Sequence, residues 1–297
     1  MGDVMHAVKA LDSNGNARKT YLHAFIDSAT RLVPSCAFRF HERAQDFESV
    51  LKSGILRHGL VRMIYLDNGA AQIADSLRLI CGELGIHKKH AMARDAAAKA
   101  GIERWFRTVR AEVIDELPDE PMPIAQLNGL LWAWLSREYH SREHGGTDQI
   151  PLNHWMEQVD HLRATPTKER LDKVFLHRES RVVRKDNTLR FRGRFLEVHG
   201  DLAGDTVELR FDPMHPFSPT DPTTFPAVYV DNEFVCDTTL LDLIANSSGK
   251  RRPKRRKTIK PPAKPTGIEP LKQLADEQAH INRSPSKTIT DIQDNEA

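Results

Sequence analysis

The chain has little of several things, and each shortage excludes a class. Its 297 residues include only 3 cysteines, Cys36, Cys81 and Cys236, an odd and scattered set with no C-x2-C pair. That argues against a disulfide framework or a structural zinc site and predicts reduced, mostly buried thiols. Aromatic residues make up 7%. No run approaches the roughly 18 consecutive apolar residues of a membrane helix, and Met1 to Lys9 lacks the layout of a signal peptide, so a cytoplasmic location is expected. No GxxxxGK[ST] loop, G-x-S-x-G elbow or 20- to 50-residue repeat is present, which leaves out an intrinsic P-loop ATPase, an α/β-hydrolase and a solenoid.

Charge is uneven rather than scarce. The net charge is +2, from 43 basic and 41 acidic residues. Lys250 to Lys264 hold nine Lys/Arg and no acid, which leaves 34 basic against 41 acidic residues elsewhere. Such a block stays solvated and commonly meets phosphates, so Lys250, Arg251, Arg252, Lys254, Arg255, Arg256 and Lys257 are candidates for non-specific DNA contact. The chain beyond Asn246 is expected to be a disordered basic tail. Within it, Ile268, Leu271, Leu274, Ala275 and Ile281 form an apolar stripe that suits a short partner-binding helix over 268–281.

At roughly 150 residues per domain the length suits about two domains. The first part, 1–160, alternates strand and helix signals. Asp3 to Val8, Lys19 to Ile26 and Leu32 to Phe40 read as strands, the latter two as a hairpin-like pair. Arg43 to Leu60 has helical spacing closed by Gly59, and Val61 to Leu66 reads as a buried central strand ending at Asp67-Asn68-Gly69. Helices are expected over Ile73 to Leu84, up to about Leu117, and over Ile124 to Tyr139, with a short strand at His87 to Met92. This is a mixed α/β layer around a central sheet. From Val174 to Phe211 the segments VFL, RVV, TLRFRGRFLEV and TVELRF alternate as antiparallel strands, and Ala227 to Val235 adds another pair. A small all-β barrel or sandwich over about 170–240 follows.

Three carboxylates stand where such elements would expose them: Asp3 in the first strand, Asp67 at the end of the buried strand, and Glu103 on a helix. The apolar face of that helix is Ile102, Trp105, Phe106, Val109, Val113 and Leu117, with Glu103, Arg107 and Arg110 on an adjoining stripe. Thirty-five residues separate Asp67 from Glu103. This spacing resembles the D,D-35-E pattern of retroviral integrases and insertion-sequence transposases. The surrounding words are similar too: GDVMH at 2–6, YLHAFIDSATRL at 21–32, YLDNG at 65–69, LGI at 84–86, IERWFRTVR at 102–110 and a stretch ending in IPLNHW at 150–155. The 182–211 stretch is similar to the C-terminal β-barrel of Mu-type transposases, so the resemblance covers about residues 1–240.

The resemblance implies a ribonuclease-H-like fold followed by a small all-β barrel, and a transposase that cleaves DNA and transfers strands by in-line phosphoryl transfer. It implies Asp3, Asp67 and Glu103 as catalytic and metal-holding residues for two Mg²⁺ (or Mn²⁺) ions. The residue types fit independently, because three crowded carboxylates repel unless cations offset them. Arg107 and Arg110 would hold phosphates beside the site, with Lys99 and Arg104 as further candidates. The partners implied are element-end and target DNA, further copies of the chain on DNA, and an accessory AAA-type ATPase docking on the tail. Two departures stand out. Asp3 lies so near Met1 that the helix-turn-helix domains which usually precede the catalytic core have no room, so a truncated or mis-started chain is expected. The loop RDAAAKAGIER carries Ala98 and Ala100 where a Pro/Gly-rich loop is common. A catalytically impaired fragment that binds DNA, or assembles with and inhibits a full-length transposase, is therefore the alternative, and a ribonuclease-H-type nuclease a third reading.

Other groups have plainer readings. Asp27 competes for the first-carboxylate role but suits a turn or cap. His140 with His144 and His87 with His90 have zinc-like spacing without partners and read as structural. Trp105, Trp132 and Trp134 read as core. Arg190, Arg192 and Arg194 alternate with Leu189, Phe191 and Phe195, which predicts three guanidinium groups on one face of the hairpin against the DNA backbone.

Overall fold

A run of apolar positions two apart, set against polar neighbours, organises the first sheet of this computed structural model. It describes residues 1–67, 69, 74–90, 96–199 and 202–241, with only the backbone at 96–99 and 161. Strands β1 (Gly2–Leu11), β2 (Ala17–Phe25) and β3 (Ser35–Arg39) form an antiparallel meander, Asp3 opposite Ala24 and Phe25 opposite Ser35. The first strand is three residues longer at its far end than expected, with a bulge between His6 and Lys9. Helix α1 (Ala44–His58) buries Phe47, Val50, Leu51 and Ile55 and stops at Gly59, whose φ of 86° suits glycine.

Strand β4 (Met63–Leu66) runs parallel to β5 (His87–His90), and the two are joined through α2 (Asp75–Glu83). β4 also lies beside β1. Helix α3 (Ala96–Val109) continues through a π turn over Arg110–Ile114, and α4 (Ile124–Trp134) through another over Leu135–Tyr139. Both carry their apolar stripes into the core under β1–β3, with Ile102, Trp105, Phe106 and Val109 buried beside Leu127, Leu131 and Leu135. Trp132 and Trp134 are only partly buried at its margin.

A short helix, α5 (Pro151–Glu157), precedes α6 (Lys168–Val174). The VFL segment was expected as a strand, and this is a correction: Val174 ends α6. The Thr167 side chain accepts the Arg170 N–H as an N-cap, and Leu171, Val174 and Phe175 fall on one helical stripe that packs into the core under α1 and β4.

The β-rich part then forms β6 (His177–Val182), β7 (Thr188–Phe191), β8 (Arg194–Glu197), β9 (Thr206–Phe211), β10 (Ala227–Val230), β11 (Glu233–Asp237) and β12 (Thr239–Leu240). Where the residues left a barrel or a sandwich open and the resemblance implied a barrel, the described ladders make two antiparallel sheets, ordered β11-β10-β9-β6 and β12-β8-β7. Alternate residues of both, among them Leu189, Phe191, Leu196, Val207, Leu209 and Val228, share one core. This is a sandwich arrangement.

Met1–Leu243 forms one compact unit. The expected basic tail with Lys250, Arg251, Arg252, Lys254, Arg255, Arg256 and Lys257, and the 268–281 helix, lie outside the described residues. No helix among the described residues is long and apolar enough to cross a membrane, and Cys36, Cys81 and Cys236 are buried free thiols.

Candidate active site at the edge of β1 and β4

Position 2 fixes how closely the strands approach. A Cβ on Gly2 would lie 2.9 Å from Leu66 Cδ2 and 2.5 Å from the Phe25 ring, so any larger residue would have to displace these two side chains between β1 and β4. Asp3 and Asp67 are the residues that follow Gly2 and Leu66. The structure therefore brings the first two expected carboxylates onto neighbouring strands, both half-buried. The Asp3 Oδ1 accepts the Val4 N–H at 2.8 Å. The Asp67 Oδ1 accepts the Gly69 N–H at 2.8 Å, a local turn that fixes the side chain just past the strand end. His90 Nδ1 donates to the Asp67 carbonyl at 2.8 Å, so β5 braces the same point. His90 is thus structural, as its sequence reading had it, and serves the candidate site in that capacity.

Glu103 lies on the solvent face of α3, and Arg107 and Arg110 follow it there, all three exposed. Gly101, two residues earlier, lets the helix pass beneath two side chains: a Cβ there would lie 2.6 Å from Met1 Cε and 2.6 Å from Arg31 Nη1. Among the described residues no three His, Cys, Asp or Glu side chains come close enough to hold a metal ion. The donor set itself, carboxylate oxygen throughout, suits a hard divalent cation such as Mg²⁺ or Mn²⁺.

Asp27 takes the turn role expected of it. Its Oδ2 accepts from the N–H groups of Ala29 and Thr30 and from the Thr30 hydroxyl, at 3.1, 2.8 and 2.9 Å. His140 is buried, and its Nε2 accepts the Val33 N–H at 3.1 Å.

The arginines of the β7–β8 hairpin require a correction. Arg192 and Gly193 form the tight turn itself, both at positive φ (46° and 82°), so strand alternation is interrupted between Arg190 and Arg194. Directly opposed residues share a face, and the opposed pairs are Arg190 with Phe195 and Phe191 with Arg194. Arg190 and Arg194 therefore sit on opposite faces. Arg192 folds back to pair with Glu179 at 2.8 Å, over the Phe191 and Phe211 rings. Arg190 and Arg192 instead join Arg181 and Arg184 around an open groove of about 580 Å³, with Val182 and Phe195 exposed in it. Arg181 and Arg184 were missed from sequence because RVV reads only as a strand. Of Lys99, only the backbone is described.

A second basic cluster lies beside α3. Arg104, Arg142 and His144 line a cavity of about 290 Å³ closed on one side by Gly145 and Gly146. Burial, and then the positive charges of Arg31, Arg104 and Arg142, hold the His144 pKa below its ordinary value.

The chain is similar to the transposase for transposon Tn552 of Staphylococcus aureus, 23% identical over 310 residues, which span 95% of this chain and 62% of that one. The chain thus spans less than two thirds of this curated relative. No family model matches. Among solved structures, a chain of the simian T-cell lymphotropic virus intasome, in complex with a PP2A regulatory subunit, is 17% identical with a TM-score of 0.42, over 70% of each chain. The HTLV-2 integrase catalytic core domain in complex with magnesium is 17% identical with a TM-score of 0.40, over 52% of this chain and 92% of that one.

Proposed function

We propose that residues 1–160 are the catalytic core of a DNA transposase of the integrase type, and that the β-rich part helps hold DNA. The observation that carries this reading is the seating of Asp3 on β1 and of Asp67 at the end of the adjoining β4, where Gly2 packs against Leu66, with Glu103 following after 35 intervening residues. The likeness to the Tn552 transposase supports it.

In this reading Asp3 and Asp67 hold the divalent cations, two per site, and Glu103 completes the set. When bound, such ions stabilise the attacking and leaving oxygens of an in-line displacement at phosphorus. The chain's own part is positional. β4 and the Gly69 N–H fix the Asp67 carboxylate, β1 carries Asp3, and α3 presents Glu103 with Arg107 and Arg110 along one exposed stripe. The two guanidinium groups hold DNA phosphates beside the reacting one. A water, and then a DNA 3′-hydroxyl, is the nucleophile, and no side chain is covalently modified. The groove of Arg181, Arg184, Arg190 and Arg192 takes further backbone phosphates.

With Mg²⁺ and end-containing oligonucleotides, purified protein is expected to nick or join strands, and Glu103→Gln to abolish the reaction. Undiminished product from that variant overturns the proposal. The second reading is a DNA-binding or inhibitory partner of a longer transposase, favoured by the exposed position of Glu103. It predicts DNA binding without strand transfer at any metal concentration.

A further inference from the structure

We infer that Arg104, Arg142 and His144, over the Gly145–Gly146 turn, form a pocket for a single phosphate group, with Arg31 adding charge behind it. The inference rests on the proposed reading of the chain as DNA-handling, and it extends the phosphate-holding surface around the helix from the Arg107–Arg110 stripe to Arg104 and Thr108.

The geometry is anion-selective in four respects. Gly146 N–H donates to His144 Nδ1 at 3.1 Å, which leaves the neutral imidazole its proton on Nε2 as a donor. Arg142 is already positioned, because its Nη2 donates to Glu112 Oε1 at 2.6 Å and Glu112 is held in turn by Trp134 Nε1 at 3.1 Å. One contact leaves most of the guanidinium's five donors for a ligand. Arg104, exposed one residue after Glu103, makes none of the ion pairs formed among the described residues. Arg31 is held in a left-handed conformation, φ 65°, its carbonyl accepting the Tyr139 hydroxyl at 3.1 Å, and its buried Nε has no hydrogen-bond partner. A buried Nε–H without a partner, on a half-buried arginine whose charge reaches His144, favours an anion nearby. Glu143 on the rim is the one carboxylate among the lining residues.

The lining selects by charge, and Gly145 and Gly146 form its wall without side chains, so an anion can approach the backbone closely there. A DNA backbone phosphodiester and free inorganic phosphate share that chemistry, and the experiment separates them. The full chain is titrated with inorganic phosphate without metal, and the His144 ring resonances are followed, assigned through His144→Gln. A saturable His144 shift is expected, with affinity roughly tenfold weaker in Arg104→Ala and tighter in Glu143→Gln. No His144 shift, or one indifferent to both variants, overturns the pocket. Duplex DNA is then added. It is expected to displace phosphate, and the log–log salt slope of DNA binding to drop by about 0.9 in Arg104→Ala. DNA that binds without displacing phosphate, with an unchanged slope, overturns the backbone assignment. Because no metal or turnover is involved, a failure here is distinct from a failure of Glu103→Gln to abolish strand transfer.

Discussion

At the scale of one residue, His140 shows how a titratable ring is put to structural use. Its Nε2 accepts the Val33 N–H, so the folded protein needs the ring neutral, and burial, with the nearby His58, lowers its pKa to about 4. His23 is alike: its Nε2 donates to the His41 carbonyl at 2.9 Å, and burial lowers its pKa to about 4. Both are depressed below the ordinary histidine value near 6.5, so the unfolded chain binds protons that the folded one refuses. Stability is therefore full above about pH 6.5 and falls as the pH drops towards 4, by up to roughly 1.4 kcal/mol per pH unit for each site. Urea unfolding at pH 7, 5.5 and 4.5 measures this, and His140→Gln, which keeps an acceptor for Val33 but cannot titrate, is expected to flatten the slope. An equal slope in that variant places the acid sensitivity elsewhere.

At the scale of elements, Asn128 on α4 completes a sheet edge with a side chain. Its Oδ1 accepts the Phe38 N–H at 2.8 Å, and its Nδ2 donates to Phe38 O at 3.2 Å and Ile124 O at 3.0 Å. The amide thus stands in for one residue of a fourth strand beside β3. Asn128→Ala strands the Phe38 backbone groups against the core and is expected to cost about 1–3 kcal/mol, a fall of several degrees in melting temperature. An unaltered melt refutes the role. Such a contact is invisible in sequence, because nothing local marks which helix position will face a strand edge. Local period is legible: the Ile102, Trp105, Phe106, Val109 stripe and the Asp67 turn both read directly. The VFL segment misleads because three apolar residues fit a strand and a helix end equally well, and only the Thr167 cap and Leu171 decide. Arg190, Arg192 and Arg194 mislead because Arg192-Gly193 is a turn, which breaks the alternation. The phosphate pocket is illegible for a different reason, since Arg31, Arg104 and Arg142 lie far apart along the chain and meet only after α3 and α4 pack.

At the scale of the whole molecule, α6 and the β-rich part are tied to α1 and α2 by ion pairs as well as by apolar contact. Glu48 on α1 is 2% exposed and accepts from His177 Nε2 of β6 at 2.6 Å. Lys52 pairs with Asp172 at 2.8 Å, and Arg178 pairs with Glu83. Leu171, Val174 and Phe175 enter the core formed by α1, β4 and α2. A carboxylate so buried needs its partner, so His177→Ala is expected to destabilise Met1–Leu243 by about 2 kcal/mol, less than for a fully enclosed pair because the imidazole is partly exposed. Calorimetry should show one transition moving down as a unit. A separate β-sheet melt, with the rest unmoved, counts against coupling.

The seam between β1 and β4 has a consequence for how the acidic pair is spaced. Because the Phe25 ring and the Leu66 methyl close over residue 2, the approach of β1 to β4 beside Asp3 and Asp67 is filled by two packed side chains that leave room there for hydrogen alone. A single added methyl would act as a wedge against both of those side chains, next to the strands that carry the two acids. The tolerance of this edge to change is therefore governed by a position that carries no functional group at all.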